Sequence, residues 1–279
     1  MNLIIELGGT KINFFVTEKS VMRSKISVPT TSPDDFKDYV VSKFGGQLIT
    51  KIILACFGPI SFDSHNYGEI LNTPKKIWGH VNIYDWLKLN VCADINLVTD
   101  VAMPAIGAIE KYSLEDSFFS YITIGTGIGG CNVFKGSVLQ NEVHPEIGHM
   151  YLGPSDGNCC EYHPHCFENQ ASGHYFSNKY NLQFKDIDPT HPGWLDLTNN
   201  LAILLYNLYA ALGVECIVLG GGVIRQDMKR HLIDNLLRLN NSYLPVLNKK
   251  NLDQRLILNE ASDDLSLLGG IRLLHKQFL

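Results

Sequence analysis

Apolar positions along this 279-residue chain gather into short runs bounded by glycine, with longer amphipathic stretches between them. Leu3–Val16 (LIIELGGTKINFFV) reads as strand, glycine turn, strand, and VMRSKISV supplies a further hairpin partner. A helix follows, opened by Ser32, with Pro33 at its first position and Asp34 and Asp35 in its first turn. Lys51–Phe57 (KIILACF), closed by Gly58-Pro59, and Ile95–Thr99 (INLVT) are short apolar strands, and the second runs into a helix near Asp100. The pattern then recurs. Ser120–Gly136 (SYITIGTGIGGCNVFKG) is again strand, Gly/Thr turn, strand, and Val214–Ile224 (VECIVLGGGVI) is a strand, a triple glycine and then a helix. A last helix begins near Leu265. This recurrence implies two similar α/β halves. The polar break Glu110–Ser117 marks the seam. It gives an N-terminal α/β domain of residues 1–115, completed by the C-terminal helix 265–279, and a C-terminal α/β domain of residues 116–264.

Composition narrows the class. Hydrophobic content of 45% and charged content of 18% are those of a soluble globular protein. A formal net charge of −5 and the lack of any Lys/Arg run argue against nucleic acid and acidic membrane surfaces as partners. The opening MNLIIELGGTK does not read as a signal peptide, and no apolar stretch approaches the ~20 residues of a membrane span, so a cytoplasmic location is expected. Seven cysteines is an odd number. Cys56, Cys92, Cys131 and Cys216 stand singly in apolar surroundings and read as buried thiols, which fits a reducing compartment. The other three crowd into GHMYLGPSDGNCCEYHPHCFENQASG (Gly148–Gly173), a stretch open to a disulfide, redox or metal reading.

The glycine turns suggest phosphate chemistry. Gly125–Gly130 (GTGIGG) matches the dinucleotide fingerprint in form, but the CNVFKG that follows reads as a strand where the fingerprint needs a helix. What remains is a hairpin turn whose N–H groups can converge on an anion, with the Thr126 hydroxyl beside them. Gly8-Gly9-Thr10-Lys11 does the same and adds a cation, and Gly220–Gly222 precedes a helix where a nucleotide could approach. With Asp100 available as a base for a hydroxyl, or as a helix cap, the set points to phosphoryl transfer.

At this point the chain resembles the ROK group of sugar kinases over essentially its whole length. The resemblance rests on Glu6–Lys11 (ELGGTK), Ala55–Ile60 (ACFGPI), Leu71–Lys75 (LNTPK), Thr99–Val101 (TDV), Gly125–Gly130, His144–His149 (HPEIGH), Cys160–Glu168 with Ala171–Gly173, and Leu219–Ile224 (LGGGVI). The ELGGTK, GPI and NTPK segments and the C-x-x-H-x-x-C spacing look like the bacterial fructokinase branch, and no helix-turn-helix precedes Leu3 as in the repressor branch. The resemblance implies two ribonuclease H-like domains of the actin-like, hexokinase-type ATPase fold with a cleft between them. It implies Asp100 as the catalytic base, and Asn72, Glu146, His149 and Glu168 at the sugar. It further implies Gly9, Thr10, Lys11, Thr126 and Gly127 at the phosphates, and Gly220, Gly221 and Gly222 beside the adenosine. ATP would arrive with Mg²⁺, and a homodimer would be the assembly. The chain departs from the family pattern at Glu6, where most actin-like kinases have Asp, and at Cys131, Ala102, Pro104 and Ala108.

Within the cysteine-rich stretch, C-x-x-H-x-x-C with an upstream histidine offers His149, Cys160, His163 and Cys166 to a structural zinc ion. Cys160 has the spacing that resembles the family, which leaves Cys159 and His165 as bystanders. The expectation is an ATP- and Mg²⁺-dependent hexose kinase acting on fructose. Manno-, gluco- and aminosugar kinases, a non-catalytic sugar-binding relative and a structural actin-like ATPase stand as alternatives.

Overall fold

The structure, a computed structural model, describes residues 1–142, 145–155, 157, 159–182, 186–188, 190–260 and 262–275. His144 of the HPEIGH motif lies outside the described residues. The chain forms two compact units. One comprises Met1–Ser113, Val138–Pro145 and the chain from Asp263 onward, and the other Leu114–Ser137 and Glu146–Ser262.

In chain order the elements begin with strands β1 (Asn2–Leu7), β2 (Lys11–Glu18) and β3 (Val21–Pro29), then helix α1 (Pro33–Phe44) and β4 (Lys51–Cys56). Helix α2 (Ile83–Asn90), β5 (Asp94–Thr99) and α3 (Ala102–Tyr112) follow. The second unit carries β6 (Phe118–Ile124), β7 (Ile128–Phe134), β8 (Ser137–Val138), α4 (Glu168–Ala171), α5 (Gly173–Tyr180), α6 (Gly193–Leu212), β9 (Cys216–Gly220), α7 (Met228–Asn240), α8 (Lys249–Arg255) and β10 (Leu256–Leu258). Helix α9 (Ser262–His275) closes the described chain. No helix among the described residues is long and apolar enough to cross a membrane.

The two sheets repeat one plan. The first has the order β3-β2-β1-β4-β5 and the second β10-β9-β6-β7-β8, so β6 takes the place of β1. In the first, β2 is antiparallel to β1 while β4 and β5 run parallel to it. In the second, β7 is antiparallel to β6 while β9 and β10 run parallel. Both glycine turns therefore connect the first two strands of their sheet. The strand after Gly127 is β7, which rules out a dinucleotide fingerprint on structural grounds.

Each sheet is covered on both faces, which explains why its central strands are apolar at nearly every position. In the first unit Leu3, Ile5, Leu7, Ile52 and Leu54 face Phe36, Val40 and Phe44 of α1. The alternate residues Ile4, Phe15, Ile53 and Ala55 pack with Met103 and Ile106 of α3 and Leu273 of α9. In the second unit Ile122, Ile217 and Leu219 pack with Leu201, Leu205 and Leu208 of α6 and Leu232 and Leu236 of α7. Helix α1 starts as its sequence predicts, with a capping box between Ser32 and Asp35 and Pro33 in the first turn.

Two expectations need correction. Cys92 is exposed, because it lies in the short connection from α2 to β5 rather than within an element; Cys56, Cys131 and Cys216 are buried as expected. Helix α7 begins at Met228, not directly after Gly222, because the chain turns twice between them. The triple glycine therefore does not sit at a helix N-terminus.

Candidate active site and metal centre

In the first unit the parallel strands end together. Leu7 pairs with Cys56 and Cys56 with Thr99, so the next backbone positions, Gly8, Phe57 and Asp100, form a row beyond the strand ends. The N–H of Phe57 donates to Leu7 and that of Asp100 to Cys56, continuing the ladder by one step. Carboxyl ends of parallel strands are where open α/β sheets present ligand-binding residues. Two strand spacings of about 4.8 Å put the backbone of Asp100 about 10 Å from the β1–β2 turn. Capping of α3 falls to Thr99, whose hydroxyl accepts the Ala102 N–H at 3.0 Å, so Asp100 does not serve as the cap. The Asp100 charge acts on its neighbour: burial first, and then this carboxylate, push the Cys56 thiol well up.

The β1–β2 turn is braced by its neighbours. The Gly8 N–H donates to Lys11 at 3.1 Å, the Thr30 N–H to Thr10 at 3.0 Å and the Thr30 hydroxyl to Gly8 at 2.7 Å. Thr10 and Lys11 are exposed on it. Beside it stands Lys75, whose Cε would lie 3.8 Å from a Cβ on Gly9. Lys75 is a second cation at this turn that sequence reasoning missed, although the LNTPK motif contained it. Asn72, in the same loop, is exposed. Two residues before the turn, the Glu6 carboxylate accepts from Asn13 Nδ2 and from the Ser266 hydroxyl, each at 2.6 Å, and the Ser27 hydroxyl bonds Asn13 in turn. Glu6 is thus held by both oxygens.

In the second unit the turn between β6 and β7 closes with the Gly125 N–H donating to Gly127 at 2.9 Å. Gly125 faces open space, and Thr126 is exposed beside it. Gly127 is different, because a Cβ there would overlap the Glu168 carboxylate. Glu168 Oε2 accepts the N–H of Ile128 at 2.9 Å, across 40 residues of sequence. The triple glycine divides by role in the same way. A Cβ on Gly220 would come within 2.5 Å of the Tyr121 hydroxyl, and one on Gly221, at φ +95°, would overlap the Ile124 backbone. Both glycines are required by packing against β6. Gly222 alone of the three faces open space.

The cysteine-rich loop gathers its candidate ligands. Cys160 Sγ lies 3.5 Å from His149 Nδ1 and 3.8 Å from His163 Nδ1. Among the described residues, His149, Cys160 and His163 form a group whose ligand atoms all lie within 4.8 Å of one another. Bond lengths of about 2.3 Å to sulfur and about 2.1 Å to nitrogen, at a tetrahedral angle, put sulfur–nitrogen edges at about 3.6 Å. The observed spacings bracket that value, so these residues fit zinc. Cys166 stands outside the tight group but is buried against Cys160; burial first, and then the Cys160 charge, push its thiol up to about 11, while the Asn169 N–H bonded to its sulfur pulls it down. Cys159 points elsewhere, its sulfur accepting from Asn178 at 3.5 Å. The second ring nitrogen of His149 faces Glu146 at 3.8 Å, an arrangement that orients a ligating imidazole. No disulfide joins the seven cysteines.

A duplicated sheet, a glycine hairpin at the head of each copy and a carboxylate at the end of β5 define an α/β protein of the actin-like ATPase fold. The chain belongs to the ROK family, whose model matches residues 2–277. It is 33% identical to the fructokinase of Pediococcus pentosaceus, over 80% of each chain. It is 25% identical to the glucokinase of Halalkalibacterium halodurans, over 78% of this chain and 79% of that one. Among solved structures it is similar to a ROK family glucokinase from Streptomyces griseus in complex with glucose and AMPPNP, with a TM-score of 0.74, 18% identity and 98% of each chain covered.

Proposed function

We propose that this ATP-dependent sugar kinase of the ROK family takes fructose as its acceptor, with Asp100 as the base. The observation that carries the choice of sugar is the 33% identity to a fructokinase over four-fifths of the chain, against 25% to a glucokinase. What supports the base is its place, one step beyond the end of β5. Asp100 takes the proton of a sugar hydroxyl as that oxygen bonds to the γ-phosphorus of ATP; the β–γ bridging oxygen leaves with its electron pair on ADP. Gly9, Thr10 and Lys11 on one turn with Lys75 beside it, and Gly125, Thr126 and Gly127 on the other, hold the phosphates. Gly222 is the one glycine of its triplet assigned to the nucleotide. Mg²⁺ bound with ATP would supply charge neutralisation at the phosphate oxygens.

Asn72, Glu146, His149 and Glu168 are assigned to the sugar. Carboxylates suit this task because each oxygen can accept a hydroxyl hydrogen bond. Glu168 Oε2 is committed to Ile128, so Oε1 is the acceptor proposed for the sugar. His149, Cys160, His163 and Cys166 would hold a structural Zn²⁺, which would brace the loop that carries both glutamates. A homodimer is the proposed assembly, checked by light scattering of the purified protein.

A coupled ADP-release assay over fructose, glucose, mannose and their 2-amino derivatives tests the reading. A kcat/KM for fructose at least tenfold above the others is expected. A preference for another hexose overturns the choice of sugar, and ADP release that ignores every sugar overturns the kinase reading itself.

A further inference from the structure

The metal loop and the glycine turn of the second unit share one strut. Asn169 is fully buried, and its amide makes three hydrogen bonds. Its Oδ1 accepts the N–H groups of Cys159 at 2.6 Å and Cys160 at 2.8 Å, and its Nδ2 donates to the His163 carbonyl at 3.0 Å. One residue thus touches two of the four candidate ligand positions, Cys160 and His163. A buried amide satisfied this fully fixes its surroundings, because losing any partner leaves a desolvated polar group.

The residue before it reaches the other way. Glu168 accepts the Ile128 N–H and its carboxylate packs against Gly127. The opposite arm of the loop converges on the same place, since a Cβ on Gly148, next to His149, would overlap the Ile128 carbonyl. Just downstream, the N–H of Gly173 donates to Gly125 at 2.8 Å and that of His174 to Thr126 at 3.1 Å. The backbone of the turn is therefore bonded at Gly125, Thr126 and Ile128 to the segment that Asn169 ties to the metal ligands.

We propose that Asn169 is a positioning residue that makes the Gly125–Ile128 turn dependent on the metal loop, with Glu168 as the transmitting carboxylate. The effect on ATP rests on the assignment of this turn to phosphate made above; the mechanical coupling does not.

Hydrogen–deuterium exchange tests it on the whole protein, stripped of metal and then reloaded with one equivalent of Zn²⁺. Stripping is expected to speed exchange of the Gly125–Gly130 peptide at least tenfold, with helix α6 still protected, and reloading to reverse it. In Glu168→Ala the turn exchanges fast in both states while zinc still binds. In Asn169→Asp, which loses the bond to His163, zinc is lost to a chromogenic chelator at least tenfold faster. Exchange of the turn that stays within twofold on stripping, that rises only together with α6, or that remains metal-sensitive in Glu168→Ala overturns the coupling. The KM for ATP separates the two ideas. A rise on stripping that parallels the exchange supports both, and altered exchange at constant KM overturns the phosphate assignment alone.

Discussion

Asp100→Asn is expected to lower kcat by about 10²–10⁴, the usual contribution of a general base, while fructose still quenches or shifts tryptophan fluorescence with little change in affinity. A variant with kcat within tenfold of the parent would remove Asp100 from that role. The triple glycine offers a paired test. Gly222→Ala should leave thermal stability unchanged and raise the KM for ATP, whereas Gly220→Ala should lower stability through its contact with Tyr121, as a thermal melt of each variant will read. The place of Asp100 just beyond β5 was legible in the sequence, because an apolar strand followed by an acidic residue is a local signal. The sequence pattern did not lead to the bond from Glu168 to Ile128, which spans 40 residues and depends on how the loop folds back. Spacing singled out Cys160 over Cys159, but not the contacts that send the two sulfurs to different partners. Adjacent positions in an irregular loop point to opposite sides for reasons set by Asn169 and Asn178, neither of which has a metal-ligand spacing.

Elements were more legible where their boundaries are chemical. Ser32 and Pro33 announce α1, and the alternation of Leu3, Ile4 and Ile5 announces a strand buried on both faces. The late start of α7 was not legible, because the five residues between Gly222 and Met228 have no strong breaker to set the helix off from the turns. The tight crossing of α3 and α9 was equally hidden. A Cβ on Gly107 would overlap the Leu265 carbonyl, and one on Gly269 would overlap that of Met103. Both are glycines inside helices, where they cost helix propensity and are retained for close backbone approach. Gly107→Ala should therefore destabilise the protein by about 1–3 kcal/mol, enough to lower its melting temperature by several degrees. A calorimetric scan within a degree of the parent would show that the crossing relaxes without strain.

At the scale of the whole molecule, the recurrence of a strand–glycine–strand device correctly announced two sheets of one topology, because backbone punctuation survives when side chains diverge. Removal of metal is expected to lower the thermal midpoint and the turnover rate together, since the loop that holds Glu146 and Glu168 would lose its brace. Full activity in a sample shown by elemental analysis to be zinc-free would sink that role. The first unit has a different dependence. Leu273 of α9 completes the face formed by Ile4, Phe15, Ile53 and Ala55, and Gly270 packs on Ile4. These residues come from opposite ends of the chain, with the entire second unit encoded between them. On a ribosome, the first half must therefore wait with one side of its sheet uncovered while the second half is synthesised. A nascent chain arrested after Ser262 should hold a protease-resistant second unit attached to a first unit that is sticky and readily cleaved.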